Sequence, residues 1–257
     1  MTTALARRAL AEFLGTALLV AVVVGSGITA TRLSPGDVGL ELLENSTATA
    51  FGLTVLILIF GPVSGAHFNP VVTLADAALG RGSRTALVPK VVVVYLIAQV
   101  VGGISGAVLA NLMFALSPAT ASTHMRSSGH LWLGEVVATA GLILLIFSLA
   151  RSGRAHLSAP AVGAYIGSAY WFTSSTSFAN PAVTIARAFT DTFAGVAPSS
   201  VPGFIAAQLV GAALGVGLIA ALYPVNHAAA PPPVDINSDA ESVDLGLFAP
   251  SPSGGTR

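Results

Sequence analysis

Two asparagines, each followed directly by proline, are the residues of this sequence best suited to hold a solute. Asn69-Pro70 and Asn180-Pro181 each predict the start of a helix, because Asn is a favoured N-cap and Pro is tolerated at the first helical position. An asparagine amide can donate a hydrogen bond to the oxygen of a neutral molecule, and the partly positive end of a helix disfavours cations. The two pairs therefore predict a site for uncharged, hydroxylated solutes.

The segments that begin at these asparagines repeat one another. Residues 69–77 and 180–188 are identical at six of nine positions. The flanking patterns recur in the same order, so we divide the chain into two copies of one unit, at about 5–115 and 131–223. An internal repeat of this kind predicts that the two Asn-Pro pairs occupy equivalent places in the fold.

Acidic and amide side chains also recur in both copies. Glu12 and Glu135 precede the Asn-Pro pairs in Glu-x-x-x-Thr-Ala patterns, and Gln99 and Gln208 follow them in Ala-Gln-x-Val-Gly patterns. A carboxylate inside a membrane is costly and is a functional candidate by default. Because these two are symmetric, we favour a structural role, in which they accept hydrogen bonds from loop backbone, over proton transfer. The glutamines are interpreted as scaffold.

The composition identifies the elements that must position these residues. The chain has 257 residues, of which 54% are hydrophobic and 9% are charged, and its mean hydropathy is +0.81; soluble domains carry about a quarter of their residues as charge. A membrane-crossing helix needs about 20 apolar residues. Six apolar runs satisfy this requirement, at about 8–30, 45–61, 87–115, 131–150, 157–175 and 202–223.

Each copy contains three spans, an odd number. The second copy therefore enters the membrane from the opposite side and is inverted relative to the first. The apolar stretches at about 69–80 and 180–190 are too short to cross and predict re-entrant half-helices that approach from opposite faces. Non-helical backbone at that depth must be buried in protein or lined by water. The expected fold is an all-α membrane protein with six transmembrane helices and two half-helices in an inverted repeat around a water-filled passage.

Several classes of function are excluded or disfavoured. The net charge is zero and there is no cysteine, which argues against nucleic-acid binding and against thiol chemistry or disulfides. His124, Met125 and His130 are too sparse to predict a metal site, and no catalytic spacing occurs within the spans. We therefore expect no enzyme activity and no metal.

Charges near the span ends predict the orientation. The side with more Lys and Arg should be cytoplasmic, which places both termini inside. The chain after Pro224 changes to an acidic, Pro-rich composition, so we assign residues 1–223 to the membrane domain and 224–257 to a disordered tail. The basic residues on the predicted cytoplasmic side are Arg7, Arg8, Arg81, Arg84, Lys90, Arg151 and Arg154, and those on the opposite side are Arg32, Arg126 and Arg187.

The sequence resembles the major intrinsic protein family, the aquaporins and aquaglyceroporins, over about residues 5–223. The resemblance implies a homotetramer in lipid at the cell membrane, with one pore per subunit, passive flow of water and small neutral solutes, and no cofactor. Its first pore signature departs from the family by carrying Val in place of Ala. The motifs that carry the resemblance are residues 11–16 (AEFLGT), 51–56 (FGLTVL) and 64–70 (SGAHFNP), and the signatures are Asn69, Pro70 and Val71, then Asn180, Pro181 and Ala182.

A second departure concerns the selectivity filter. Val183 stands where most of the family carries arginine, and the resemblance assigns the rest of the filter to Phe51, Ser168 and Ser177, although the stretch from Phe51 to Asn69 is two residues shorter than in water-selective relatives. Loss of a guanidinium should make the filter wider and less polar. The sequence resembles a bacterial branch with neutral residues there that is associated with arsenic resistance genes, so arsenite or methylated arsenicals are expected substrates.

Three further side chains received sequence-based assignments. Arg187 lies one helical turn after Val183, and because helical side chains lean toward the N-terminus we hypothesise that it restores part of the missing positive charge. His67 is interpreted as a pore-lining residue, with a buried structural histidine as the alternative. Tyr170 belongs to an aromatic group that we interpret as an anchor at the membrane interface, with the lining of an outer vestibule as the alternative.

The chief alternative function is secondary transport, because inverted repeats and broken helices also occur in transporters. A coupled transporter normally needs a titratable or ion-binding group at its central site. Here the centre carries two asparagines and no acid. The sequence therefore favours a passive channel.

Overall fold

Eight α-helices account for most of the chain in a computed structural model that describes residues 2–80 and 87–224. The described residues contain no strand, as the all-α prediction requires. The disordered tail predicted at 224–257, from Val225 onward, and Arg81 and Arg84 lie outside the described residues. The helices are α1 (Thr3–Leu33), α2 (Val38–Ser64), α3 (Pro70–Leu79), α4 (Pro89–Met113), α5 (Gly129–Arg151), α6 (Ser158–Phe172), α7 (Pro181–Ala186) and α8 (Val201–Leu222).

Five of these helices, α1, α2, α4, α5 and α8, are long and apolar enough to cross a membrane. The sixth predicted span, α6, has only 15 residues. A 3₁₀ turn over Ala155–Leu157 leads directly into it, and it ends where Thr173 adopts extended backbone angles. The structure thus has the expected order of elements, with a shorter sixth helix than the apolar run at 157–175 predicted.

Glycines four residues apart allow the long helices to pack closely. α1 packs on α4 and α5 packs on α8, which are equivalent pairs in the two copies. A Cβ atom on any of four glycines would collide with the facing helix, so these contacts require glycine. The glycines and the residues whose carbonyls they approach are Gly102 with Phe13, Gly106 with Ala17, Gly211 with Val136 and Gly215 with Ala140.

The half-helices α3 and α7 begin as the Asn-Pro pairs predict. Asn69 and Asn180 are N-caps with extended backbone, and each Oδ1 accepts a hydrogen bond of 3.0 Å from a backbone N–H, of Val71 and of Ala182 respectively. α7 is shorter than the predicted 180–190 because the chain tightens into a 3₁₀ turn at Arg187. The two half-helices contact one another, with their capped ends together.

Candidate functional site

The loops that lead into the half-helices have the same unusual backbone. In each loop, the residues four, three and one positions before the asparagine have positive φ. The left-handed region costs an L-residue about 1–2 kcal/mol, so the surroundings must hold both loops in place. The residues and their φ angles are Gly65 (90°), Ala66 (49°) and Phe68 (49°), then Thr176 (59°), Ser177 (46°) and Ala179 (48°).

Glu12 holds the first loop. Its Oε1 accepts hydrogen bonds from Ser64 Oγ at 2.6 Å and from the His67 N–H at 3.1 Å. Its Oε2 accepts from the Phe68 N–H at 2.7 Å and from Gln99 Nε2 at 2.8 Å. The carboxylate is fully buried, and all four donors point at it. This is the geometry of a support for the loop, with both oxygens occupied.

Glu135 makes the equivalent contacts in the second loop. It accepts hydrogen bonds from the Phe178 N–H at 2.9 Å and the Ala179 N–H at 2.8 Å. Gln208 Nε2 donates to Glu135 at 2.7 Å and to Thr184 Oγ1 at 2.8 Å. Glu135 is also fully buried. The repeated carboxylates and glutamines thus occupy equivalent places behind the two loops and do not line the cavity described below.

Each asparagine forms a hydrogen bond with the loop of the other repeat copy. Asn69 Nδ2 donates to the carbonyl of Ala179, and Asn180 Nδ2 donates to the carbonyl of Phe68, each at 2.8 Å. A side-chain amide has two N–H donors, so each asparagine keeps one for another partner. The sequence predicted that the asparagines meet, but it gave no sign of these crossed bonds.

A cavity of about 250 Å³ runs past both asparagines. The half-helices diverge from their capped ends. The residues seven positions beyond the asparagines, Asp76 and Arg187, therefore mark the two ends of the cavity. Asp76 and His67 line one end, which we name the Asp76 mouth. Ser177, Val183 and Arg187 line the other, which we name the Arg187 mouth.

Phe51 and Ser168 do not line this cavity, and their assignment to the filter was wrong. Phe51 is 70% exposed on the outer side of α2, and Ser168 is exposed on α6, where its Oγ donates to the Tyr165 carbonyl. Thr49 and Tyr170 line the cavity from the same two helices. Each lies two residues from the predicted position, and two residues turn a helix by about 200°.

Thr49 and Tyr170 contact each other across the Arg187 mouth. Thr49 Oγ1 and the Tyr170 hydroxyl are 3.3 Å apart. Tyr170 is buried rather than placed at the interface as an anchor, whereas its neighbours Trp171 and Phe172 are half exposed. The two-residue shortening before Asn69 was the signal for Thr49, since it moves the lining position back by two residues.

Arg187 lies in the cavity wall and is 3% exposed. Its guanidinium carbon is 3.5 Å from the ring centroid of Phe178, and its Nε donates to the carbonyl of Ala194. The arginine is therefore held in place while remaining in contact with the cavity, next to Val183.

The Asp76 mouth pairs a histidine with a carboxylate, unlike the Arg187 mouth. His67 Nδ1 is 3.0 Å from Thr73 Oγ1, and its Nε2 is 3.6 Å from Asp76 Oδ2. Tyr95 stands edge-on to the histidine at 5.5 Å between ring centroids, and its hydroxyl accepts from Arg8 Nε at 2.7 Å. His67 thus lines the cavity and is also packed and hydrogen-bonded. Sequence reasoning missed Tyr95, for which no pattern gave a signal.

No cluster of three or more metal-ligating side chains occurs in the residues that the structure describes. Pro70, Val71, Pro181 and Ala182 are buried in the first turns of the half-helices, and the two prolines stiffen these starts. The site is thus built from loop backbone, two side-chain amides and the two mouths. Five membrane-length helices and two capped half-helices around a continuous cavity define a membrane channel.

Comparison with known proteins agrees with that class. The chain matches the family described as "Major intrinsic protein" over residues 1–175. It is 49% identical over 215 residues to aquaglyceroporin AqpS of Rhizobium meliloti, covering 84% of this chain and 89% of that protein. It is 42% identical over 106 residues to aquaporin Z of Photorhabdus laumondii, covering 39% of this chain and 41% of that protein.

The fold is similar to the X-ray structure of the aquaglyceroporin from Plasmodium falciparum, with a TM-score of 0.64, 20% sequence identity, and coverage of 84% of this chain and 95% of that chain. The chain belongs to the major intrinsic protein family. It is therefore a multi-pass membrane channel for water and small solutes, and it is not an enzyme.

Proposed function

We propose that the chain conducts water and small uncharged, hydroxylated solutes passively between the Asp76 mouth and the Arg187 mouth. The paired asparagines carry this proposal, because each has one amide N–H left after the crossed bonds and both line the cavity. A solute oxygen that accepts from both amides has its lone pairs occupied, which interrupts proton hopping along a water chain. A glycerol-like solute can use the same donors in succession.

The constriction of this channel consists of Thr49, Tyr170, Ser177 and Val183 in our proposal. All four line the cavity near the Arg187 mouth, and none carries a charge. Valine in place of arginine leaves the constriction with fewer donors and less bulk, which favours solutes larger than water. The Arg187 guanidinium supplies positive charge four residues beyond Val183, just after the end of α7.

Two substitutions test the constriction. Val183→Arg should cut glycerol and urea flux by about ten-fold or more while water flow persists. The long arginine side chain narrows the passage, and its N–H donors compete with the solute for the oxygen acceptors that line it. Thr49→Trp should lower all fluxes, whereas the matched change Phe51→Trp, on the outer side of the same helix, should not. Stopped-flow light scattering of proteoliposomes measures each flux. Unchanged glycerol flux in Val183→Arg would remove Val183 from the constriction.

The same vesicles test whether conduction is passive, as in a channel, or coupled to an ion gradient, as in secondary transport. A channel should give solute flux with a low activation energy and no response to a proton or sodium gradient. Gradient-driven accumulation of the solute would overturn the channel proposal. The cavity centre supports the channel, because it presents asparagine amides, and the deep acids Glu12 and Glu135 lie behind the loops.

Arsenite and methylated arsenicals are the finer substrates that we propose. Arsenite at neutral pH is an uncharged, hydroxylated molecule that a glycerol-sized passage with hydrogen-bond donors can accept. The 49% identity to an aquaglyceroporin supports a passage wider than one for water alone. Arsenite uptake into proteoliposomes should exceed that of empty vesicles and should fall with glycerol uptake in Val183→Arg. Arsenite uptake equal to that of empty vesicles would refute this substrate.

We also propose a homotetramer embedded in lipid at the cell membrane, with both termini cytoplasmic and the Arg187 mouth outside. The basic residues Arg7, Arg8 and Lys90, with Arg151 and Arg154, support this orientation. The exposed apolar residues of α2, Phe51, Val55 and Leu58, can contact lipid or a neighbouring subunit. Native mass spectrometry from detergent tests the tetramer, and protease accessibility in spheroplasts tests the orientation.

A further inference from the structure

Two arginines from different parts of the chain converge on the ring of Phe178. Arg187 follows α7, and its guanidinium carbon is 3.5 Å from the ring centroid. Arg126 comes from the connection between α4 and α5, and its guanidinium carbon is 5.4 Å from the same centroid. Cation–π contact compensates part of the desolvation of each cation. Phe178 lines the cavity beside Ser177, so both charges lie next to the constriction.

Arg126 is fixed by its surroundings. The His124 carbonyl accepts from the Ala197 N–H at 2.8 Å, and the Arg126 N–H donates to Ser200 Oγ at 3.0 Å, which bind the connection to the segment before α8. The Arg126 Nη1 donates to the Ser175 carbonyl at 3.3 Å and to Thr176 Oγ1 at 3.4 Å. These contacts place its charge on the loop that carries Ser177.

The Arg187 guanidinium has N–H donors that are not used within the described residues. Of its side-chain nitrogens, only Nε makes a hydrogen bond among the described residues, to the Ala194 carbonyl. A guanidinium carries five N–H donors, so four are left on a side chain that is 97% buried and lines the cavity. Donors in that position bind oxygen atoms that arrive through the cavity.

Negative charges nearby do not cancel the charge of Arg187, which lines the cavity, or that of Arg126 on the Phe178 ring. Glu135 faces the Phe178 and Ala179 N–H groups from behind the loop and does not line the cavity. Asp191 is turned toward Thr123 and His124. Within residues 2–80 and 87–224, the formally charged side chains that line the cavity are Asp76 and Arg187.

We propose that Arg126 and Arg187, stacked on Phe178, form a positively charged vestibule that excludes cations ahead of an uncharged constriction and concentrates small anions at the Arg187 mouth. This inference rests on the proposed function, since a vestibule matters only if solutes pass. It adds Arg126 as a second residue that sets charge selectivity, although Arg126 comes from a connection outside both half-helices.

A reactive thiol can report the potential in the vestibule, because the chain contains no cysteine. Ser177→Cys introduces one thiol at the constriction with little change in size. The probes are the negatively charged sulfonatoethyl and the positively charged trimethylammonioethyl methanethiosulfonates, applied to the protein in nanodiscs and followed by intact-mass spectrometry. The ratio of anionic to cationic reaction rates is normalised to the same ratio for 2-mercaptoethanol.

We expect the normalised ratio to exceed one by about ten-fold at low salt, since a unit charge several ångströms away changes the two rates in opposite directions. Adding Arg126→Gln should lower the ratio by about three-fold or more. Adding Arg32→Gln should not change it; this matched control removes an arginine that lies 5.1 Å from the Phe114 ring centroid and does not line the cavity. A ratio near one, or equal losses from both variants, would overturn the vestibule.

Two further measurements protect this result from a folding failure. Val183→Cys provides a second thiol on the same cavity and should give the same ordering of ratios. Water flux through each thiol variant before labelling tests the channel itself, so absent flux counts against the proposed function, and a flat ratio counts against the vestibule.

In intact channels, Arg187→Gln should raise proton and sodium leak, Arg187→Lys should not, and Val183→Arg should suppress the leak of Arg187→Gln. No added leak in folded Arg187→Gln would also overturn the proposal.

Discussion

The two mouths of the cavity occupy equivalent places in the repeat and carry opposite chemistry. At one mouth His67 faces Asp76 at 3.6 Å, and at the equivalent positions of the other Phe178 faces Arg187 at 3.5 Å. The supports behind them are the same in kind, a buried glutamate and a buried glutamine in each half. The repeat thus keeps the parts that hold the loops and varies the side chains that solutes meet.

This division follows from what each part must do. A loop with three left-handed residues refolds or collapses unless its N–H groups find a fixed acceptor, so both halves need the same carboxylate. A mouth only needs to be compatible with passage, and several side chains meet that condition. Function in such a repeat is therefore best sought where the two copies disagree.

The largest expected effect tests the equivalence of the supports. Glu12→Gln and Glu135→Gln each replace acceptors by an amide that faces existing donors, and each should lower the free energy of unfolding by about 3 kcal/mol or more. Thermal unfolding in detergent, followed by circular dichroism, measures both. Glu44→Gln is the control, because Glu44 accepts one side-chain hydrogen bond, from Ser34 Oγ. A large loss in one half and none in the other would break the comparison.

A smaller effect is expected at the helix contacts. Gly215→Ala should cost about 1–3 kcal/mol, because the added Cβ meets Ile143 and the Ala140 carbonyl. Gly217→Ala is a control on the same helix, since nothing lies within 4 Å of its added Cβ; it should be neutral or stabilising by up to about 1 kcal/mol. Gly106→Ala should resemble Gly215→Ala. Equal stability of the two α8 variants would show that the contact tolerates a methyl group.

The mouths should differ in their contribution to stability. Arg187→Gln removes a buried guanidinium from an aromatic face and should cost about 2 kcal/mol. Asp76→Asn should cost less than about 1 kcal/mol, because the Asp76 side chain is 38% exposed and its pairing with His67 is screened by solvent. Repeating the unfolding at high salt sharpens the contrast, since only the Asp76 pair should weaken. The comparison fails if both variants lose the same stability.

The smallest effect concerns the connection that carries Arg126. The Thr123 N–H and hydroxyl lower the pKa of Asp191, so the ionised form is favoured in the folded chain. The resulting stabilisation is present above the ordinary pKa of 3.8 and is lost as the pH falls through the lowered value, with no change between pH 5 and 8 expected. Asp191→Asn should speed amide exchange at Thr123 without moving the melting temperature. Unchanged exchange at Thr123 would show that these bonds are not needed.

Sequence alone predicted the parts of this fold that depend on local chemistry and on the repeat. Asn-Pro caps predicted both half-helices, because helix capping is a short-range rule. The filter assignment failed at Phe51 and Ser168 because the face of a helix depends on rotation, and a two-residue offset reverses it. Tyr95 and Arg126 reach the site through tertiary contacts, which no local pattern encodes.

The crossed amide bonds have a consequence for how such a chain can be divided. Asn69 is completed by a carbonyl from the second copy, and Asn180 by one from the first. Either copy expressed alone would have one amide and one carbonyl without partners at its most strained turn. Co-expression of the two halves as separate polypeptides should therefore rescue folding that neither achieves by itself, as in a split protein whose fragments complement each other.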